Sequence, residues 1–249
     1  MIAAPVEDRS QAVLEVRGVS RQFGGLRALD GVDLSVLSGE ILGLIGPNGA
    51  GKTTLFNCLS GVLRPTAGVI LFHDRRINGR SPHALVRQGI CHTHQIPRPF
   101  AEMTVRENVL VGAYFGRESG HEANARADDT LALTGLERIA GSPASQLTVG
   151  QRKLLEISRA LATGPELLLL DEVCGGLNPS ETQHVLGVIR EIRDRGITVL
   201  YIEHNMRAVM SVCDRIVVLN FGRKIAEGLP HEVANDPRVI EAYLGTHHS

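Results

Sequence analysis

Gly46-Pro47-Asn48-Gly49-Ala50-Gly51-Lys52-Thr53 follows the apolar run Ile41-Leu42-Gly43-Leu44-Ile45 and leads into Thr54-Leu55-Phe56-Asn57-Cys58-Leu59. The run reads as a buried strand, and the segment that follows has helical character. A glycine-rich turn between a strand and a helix, ending in Gly-Lys-Thr, is the setting of a polyphosphate-binding loop. Glycines let successive backbone N–H groups point inward at phosphate oxygens, and the helix N-terminus adds its partial positive charge. Lys52 then reaches the β- and γ-phosphates, and the Thr53 hydroxyl is a ligand for Mg²⁺, with Thr54 beside it. The stretch implies a nucleoside triphosphate site.

The second half of such a site lies further along. Leu167-Leu168-Leu169-Leu170-Asp171-Glu172 places two carboxylates at the end of a strand-length apolar run. In a parallel sheet, ligands sit at that edge. Asp171 suits Mg²⁺, and Glu172 suits a water that must be oriented and deprotonated. Read alone, the pair could instead be solvated acids ending a strand. His204 follows the next apolar run, Ile197 to Ile202, and so emerges on the same edge. It is either a structural histidine or a group that hydrogen-bonds a γ-phosphate. Leu147-Thr148-Val149-Gly150-Gln151 opens an amphipathic helix and offers a hydroxyl and N–H groups at a helix start, a second anion site.

The 249 residues allow a substantial core in one or two domains. Apolar residues make up 43 % and charged residues 21 %, with a formal net charge of −1, so no basic surface argues for nucleic acid. No apolar run approaches the length of a membrane span. Acids stand near the N-terminus where a signal peptide carries bases. Four scattered cysteines read as small hydrophobes in a reducing compartment. The chain is expected in the cytoplasm.

Short β-rich runs at Val13 to Val16, Val32 to Val36 and Gly68 to Phe72 accompany the strand before the loop. Ser81 to Val86 reads as a short helix, and Pro97 and Pro99 interrupt regularity. Thr104-Val105-Arg106-Glu107 has the form of a capping box, and the chain from Thr104 to about Thr163 is mostly helical in pattern. Ser180 to Arg195 reads as a helix between the two late strands.

These motifs together resemble the ATP-binding subunits of ABC transporters, over about residues 12 to 245. Phe23 resembles the aromatic that stacks on adenine, and Gln95 stands where the family's Q-loop glutamine, which senses the active-site metal, lies between the core and the helical insertion. Leu147 to Gln151 resembles the signature motif, with Thr148, Gly150 and Gln151 facing nucleotide. Asp171 and Glu172 resemble the Walker B pair, Leu177-Asn178-Pro179 the D-loop, and His204 the switch histidine. Phe23-Gly24-Gly25-Leu26, Glu102 to Val105, Gly176 to Pro179 and the ending Asn235 to Gly245 resemble the ATPases of branched-chain amino-acid importers, and related ones for urea and short amides. Thr148 in place of serine, Val149 in place of glycine and Val173 in place of proline depart from pattern, as do His92 and His94 beside Gln95. None removes a catalytic group.

The resemblance implies a single domain over residues 1–249 with an α/β P-loop NTPase fold, its N-terminal antiparallel β subdomain and RecA-like core together spanning residues 1–96 and 164–249, and a helical subdomain spanning residues 97–163. It implies ATP and Mg²⁺ as ligands, with Glu172, His204, Lys52 and Gln95 catalytic and Thr53, Gln95 and Asp171 around the metal. The partners it implies are a second ATP-binding subunit placed head to tail, transmembrane permeases and, indirectly, an extracytoplasmic binding protein. The subunit would lie on the inner face of the cell membrane. A soluble ABC-type ATPase without a transporter is the alternative.

Overall fold

The computed structural model describes residues 11–93, 98–116 and 122–244. Gln95, His94 and Pro97 lie outside the described residues, as does Gly245. Two sheets and the helices packed on them form the molecule. The larger sheet has six strands in the order β10-β9-β3-β8-β7-β6. Its strands are β3 (Ile41–Ile45), β6 (Ile90–His92), β7 (Leu167–Asp171), β8 (Thr198–Ile202), β9 (Arg215–Asn220) and β10 (Arg223–Gly228). All neighbours are parallel except β9 and β10.

Every residue of β3, β7 and β8 is buried, which is why they read as unbroken apolar runs. Alternation still assigns the faces. Ile41, Ile45, Leu168, Leu170, Val199 and Tyr201 pack on one side, whereas Leu42, Leu44, Leu167, Leu169, Leu200 and Ile202 pack on the other. Each such side chain contributes about 1.5–3 kcal/mol of burial.

The second sheet is antiparallel, in the order β2-β1-β4-β5, with β1 (Ala12–Phe23), β2 (Leu26–Leu37), β4 (Ala67–Phe72) and β5 (Arg75–Arg76). The short runs expected at Val13 to Val16 and Val32 to Val36 prove to be parts of two twelve-residue strands. Gly18 (φ 58°) and Gly31 (φ 64°) do not end them, because both fall where the pairing register slips and the ladder resumes.

Helix α1 (Lys52–Leu59) leaves the loop after β3, and α2 (Pro82–Gln88) starts at a Ser81 cap. Helices α3 (Val105–Phe115), α4 (Ala123–Thr134) and α5 (Val149–Leu161) fill the segment expected to be helical. The capping box read at Thr104 and Glu107 is formed. Then come α6 (Pro179–Asp194), α7 (Met206–Val212), α8 (Pro230–Ala234) and α9 (Pro237–Leu244). Strands β6, β9 and β10 were not among the runs singled out from sequence.

Candidate active site

Parallel pairing decides where the chemistry collects. Ile202 of β8 lies opposite both Leu44 of β3 and Asp171 of β7. The loop after Ile45, the Asp171–Glu172 pair and Glu203–His204 therefore emerge together at one sheet edge. In that loop, glycine is required by contact as well as by dihedral. A Cβ on Gly46 (φ 150°) would stand 2.1 Å from the Leu219 carbonyl oxygen, and one on Gly51 (φ 101°) 2.6 Å from that of Ala28. The Lys52 ammonium donates to the loop's own carbonyls, Gly46 O at 2.6 Å and Pro47 O at 3.1 Å. Burial lowers its pKa, against the pull of Glu172 and Asp171. Thr53 and Thr54 occupy the first turn of α1, with Thr53 exposed. Pro47, Asn48, Gly49 and Ala50 complete the loop.

Asp171 ends β7, where its backbone N–H donates to Thr93 Oγ1 at 3.2 Å. Burial first, then the Glu172 charge, pushes the Asp171 carboxyl up to about 6, against the Lys153 and Lys52 ammoniums. A buried, under-compensated carboxylate is an environment that a divalent cation relieves. Among the described residues no group of three His, Cys, Asp or Glu side chains could hold a metal unaided. Asp171 and Thr53 supply hard oxygens, and Mg²⁺ commonly takes only one or two protein ligands, its remaining sites going to phosphate and water. The donor set fits Mg²⁺ bound with a nucleotide.

Glu172 has φ 46°, unusual for a residue with a side chain. The backbone is held there from both sides. Its N–H donates to Ile202 O at 2.9 Å, and Lys153 Nζ donates to its carbonyl at 3.0 Å. Strain of about 1–3 kcal/mol at such a position is typical of functional sites. His204 Nδ1 lies 3.7 Å from Glu172 Oε1, and the imidazole is largely exposed.

Three residues of this site escaped the sequence reading. Glu203, 1 % exposed, accepts the Cys174 and His204 N–H groups, each at 3.0 Å, and so holds the turn bearing Glu172 to the turn bearing His204. Its signal was a charge directly after the apolar run ending at Ile202. Lys153 is buried on the apolar face of α5, a charge among Leu154, Leu155 and Ile157 that periodicity alone would have flagged. Thr93 left no sequence signal.

Phe23 ends β1 at a turn, 42 % exposed, with the Arg21 guanidinium 4.5 Å from its ring centroid. That guanidinium covers part of the ring and much of the rest is exposed, so Phe23 is not a core residue. Phe23→Ala should weaken ATP binding by about 1 kcal/mol, roughly fivefold, and leave the folded chain as stable as before. Nucleotide titration checks this, and unchanged affinity would reject the stacking role.

The Thr148–Gln151 turn forms a reciprocal cap. Gln151 N–H donates to Thr148 Oγ1 at 3.3 Å, and Thr148 N–H donates to Gln151 Oε1 at 3.0 Å. The Val149 and Gly150 N–H groups at the helix start have no intrahelical acceptor. This turn lines a cavity with residues of 135–185, none of them from the loop at 46–53.

Known proteins resemble this chain over nearly its whole length. The ABC transporter family profile matches residues 29–175, and that of the branched-chain amino acid ATP-binding cassette transporters matches residues 223–249. The chain is 44 % identical over 252 aligned residues to the high-affinity branched-chain amino acid transport ATP-binding protein LivG of Escherichia coli K12, covering 95 % of this chain and 99 % of that protein. A nucleotide-free ATP-binding cassette from an ABC transporter superposes with a TM-score of 0.86 at 34 % identity, covering 94 % of this chain and all of the other. A dimeric bacterial ABC transporter cassette gives 0.77 at 27 % identity, covering 87 % and 98 %. The chain belongs to the ATP-binding subunits of ABC transporters.

Proposed function

We propose that this ATPase powers an importer of branched-chain amino acids, working as one of two ATP-binding subunits that share their nucleotides. The observation that carries the chemistry is the meeting of Lys52, Asp171, Glu172 and His204 at one sheet edge. Lys52 would leave its loop carbonyls for the β- and γ-phosphates. Mg²⁺, when bound through Thr53 and Asp171, would neutralise charge on those oxygens. Glu172 would take the proton of the attacking water, and His204 would hold the γ-phosphate edge, steadied by Glu203. Gln95, outside the described residues, is proposed to sense the metal, as the family resemblance implies.

The shared site is supported by the separation of the two anion-binding turns. Gly150 and Thr148 face a cavity built from α5, α6 and the segment that follows α4, apart from the loop at 46–53. A second chain placed head to tail would bring its own Thr148–Gln151 turn onto this chain's γ-phosphate. The substrate class rests on the named activity of the relatives and on the profile at residues 223–249. Among the described residues no helix is long and apolar enough to cross a membrane, so permease partners are proposed to span it, fed by an extracytoplasmic binding protein.

A surface for such a partner lies where α2, β6, α3 and α5 meet. His83, Val86, Cys91, Val111, Gly112 and Phe115 line a groove of about 270 Å³. Phe100, 45 % exposed, sits beneath the Arg159 guanidinium at 4.9 Å, and Arg159 also lines the groove. Its backbone is pinned by the fully buried Asn108, which accepts the Phe100 N–H at 2.8 Å and donates to its carbonyl at 3.0 Å. An exposed aromatic on an anchored loop suits docking. Met103, three residues on, is half-buried, and its carbonyl accepts the Ala144 N–H at 2.9 Å. Phe100→Glu should abolish leucine uptake by the assembled transporter while the isolated subunit hydrolyses ATP at its native rate. Uptake that survives the change would move the docking surface elsewhere.

A further inference from the structure

The turn at the start of α5 touches a carboxylate that no step above uses. Glu181, in the first turn of α6, accepts the Asn178 N–H at Oε2, 3.0 Å away, and its own N–H donates to Asn178 Oδ1 at 2.9 Å. Its other oxygen lies against Gly150. A Cβ added at Gly150 would stand 2.8 Å from Glu181 Oε1 and 3.1 Å from Cδ. Glu181 lines the same cavity as Thr148, Gly150 and Gln151, about 360 Å³ in volume. One side chain thus holds the loop that follows the catalytic carboxylates and abuts the turn offered to the partner's γ-phosphate.

Two consequences follow from that contact. A side chain at position 150 would displace the Glu181 carboxylate within its own chain, since a Cβ there meets Oε1 at 2.8 Å. In addition, a fixed negative charge stands beside a helix start that attracts anions. Where two chains close and exclude water, like charges repel more strongly than at an open surface.

We propose that Glu181 is a positioning residue of the shared nucleotide site. It ties the Asn178 loop to the Gly150 turn and imposes a standing repulsion on the partner's γ-phosphate, which limits how tightly ATP holds the two chains. This rests on the two-chain reading above. The contact acts as a brake on closure, so the pair reopens more readily once phosphate is lost.

The test compares full-length Glu172→Gln protein with Glu172→Gln/Glu181→Gln by light scattering in Mg²⁺ and ATP, alone or mixed with a second ATPase subunit. Glutamine keeps an oxygen for the Asn178 N–H and removes the charge. Association should tighten about threefold to tenfold at low salt. The gain should fade as salt rises, with thermal unfolding of the nucleotide-free chain unchanged. Equal or weaker association of the neutral variant overturns the proposal. A second pair isolates the packing. Gly150→Ala should weaken association, and adding Glu181→Ser should recover much of it. A double variant no better than Gly150→Ala also overturns the proposal, because phosphate alone would then require the glycine. Glu172→Gln protein that never associates in ATP removes the two-chain site itself, and this proposal with it.

Discussion

Glu172→Gln is expected to bind ATP as tightly as the native chain and to hydrolyse it at least about a hundredfold more slowly, the scale of lost general-base catalysis. The amide is nearly isosteric and can still orient a water through its oxygen, but it cannot accept the proton. The effect should be confined to the chemical step, because the strained backbone at Glu172 is fixed through its own N–H and carbonyl, by Ile202 O and the Lys153 ammonium. Lys52→Ala should differ in kind. It removes the cation that would meet the β- and γ-phosphates, so binding and turnover should fall together. Equilibrium nucleotide binding paired with single-turnover hydrolysis separates the two patterns. A Glu172→Gln protein that turns over at the native rate would remove Glu172 as the base.

The parts of this site that were legible in sequence obey local rules. A strand, a glycine turn and a helix are contiguous at residues 41–59, so the phosphate loop needed no tertiary knowledge. Asp171 and Glu172 were readable because a doubly buried strand has a recognisable end, and the same held for His204 after Ile202. What stayed hidden depends on distant segments meeting. Thr93 supports Asp171 only because β6 pairs with β7, a three-residue contact with no periodicity to read. Strands β1 and β2 were underestimated because glycines at bulges look like breaks until the partner strand is known.

Gly150 shows the same limit at the level of energetics. An acid at position 150 is the obvious way to repel a partner's phosphate, and sequence offers nothing against it. The fold does, since Glu181 of the same chain already abuts that position. A change at Gly150 would therefore disturb its own subunit first. Val149 is the cleaner position: it is the first residue of α5 and 57 % exposed. An acid there favours its own helix start while placing a negative charge toward an incoming phosphate.

That position supplies the direct test of a nucleotide site shared between two chains. Glu172→Gln protein is followed by light scattering with Mg²⁺ and either ATP or ADP, alone or with a second ATPase subunit. Only ATP carries the γ-phosphate that would bridge Lys52 of one chain to the Gly150 turn of the other, so ATP should double the mass and ADP should not. Adding Val149→Asp should abolish the ATP-dependent dimer, the introduced carboxylate repelling the partner's γ-phosphate, without lowering the thermal stability of the single chain. A dimer that forms equally well in ADP, or that survives Val149→Asp undiminished, would contradict the shared site.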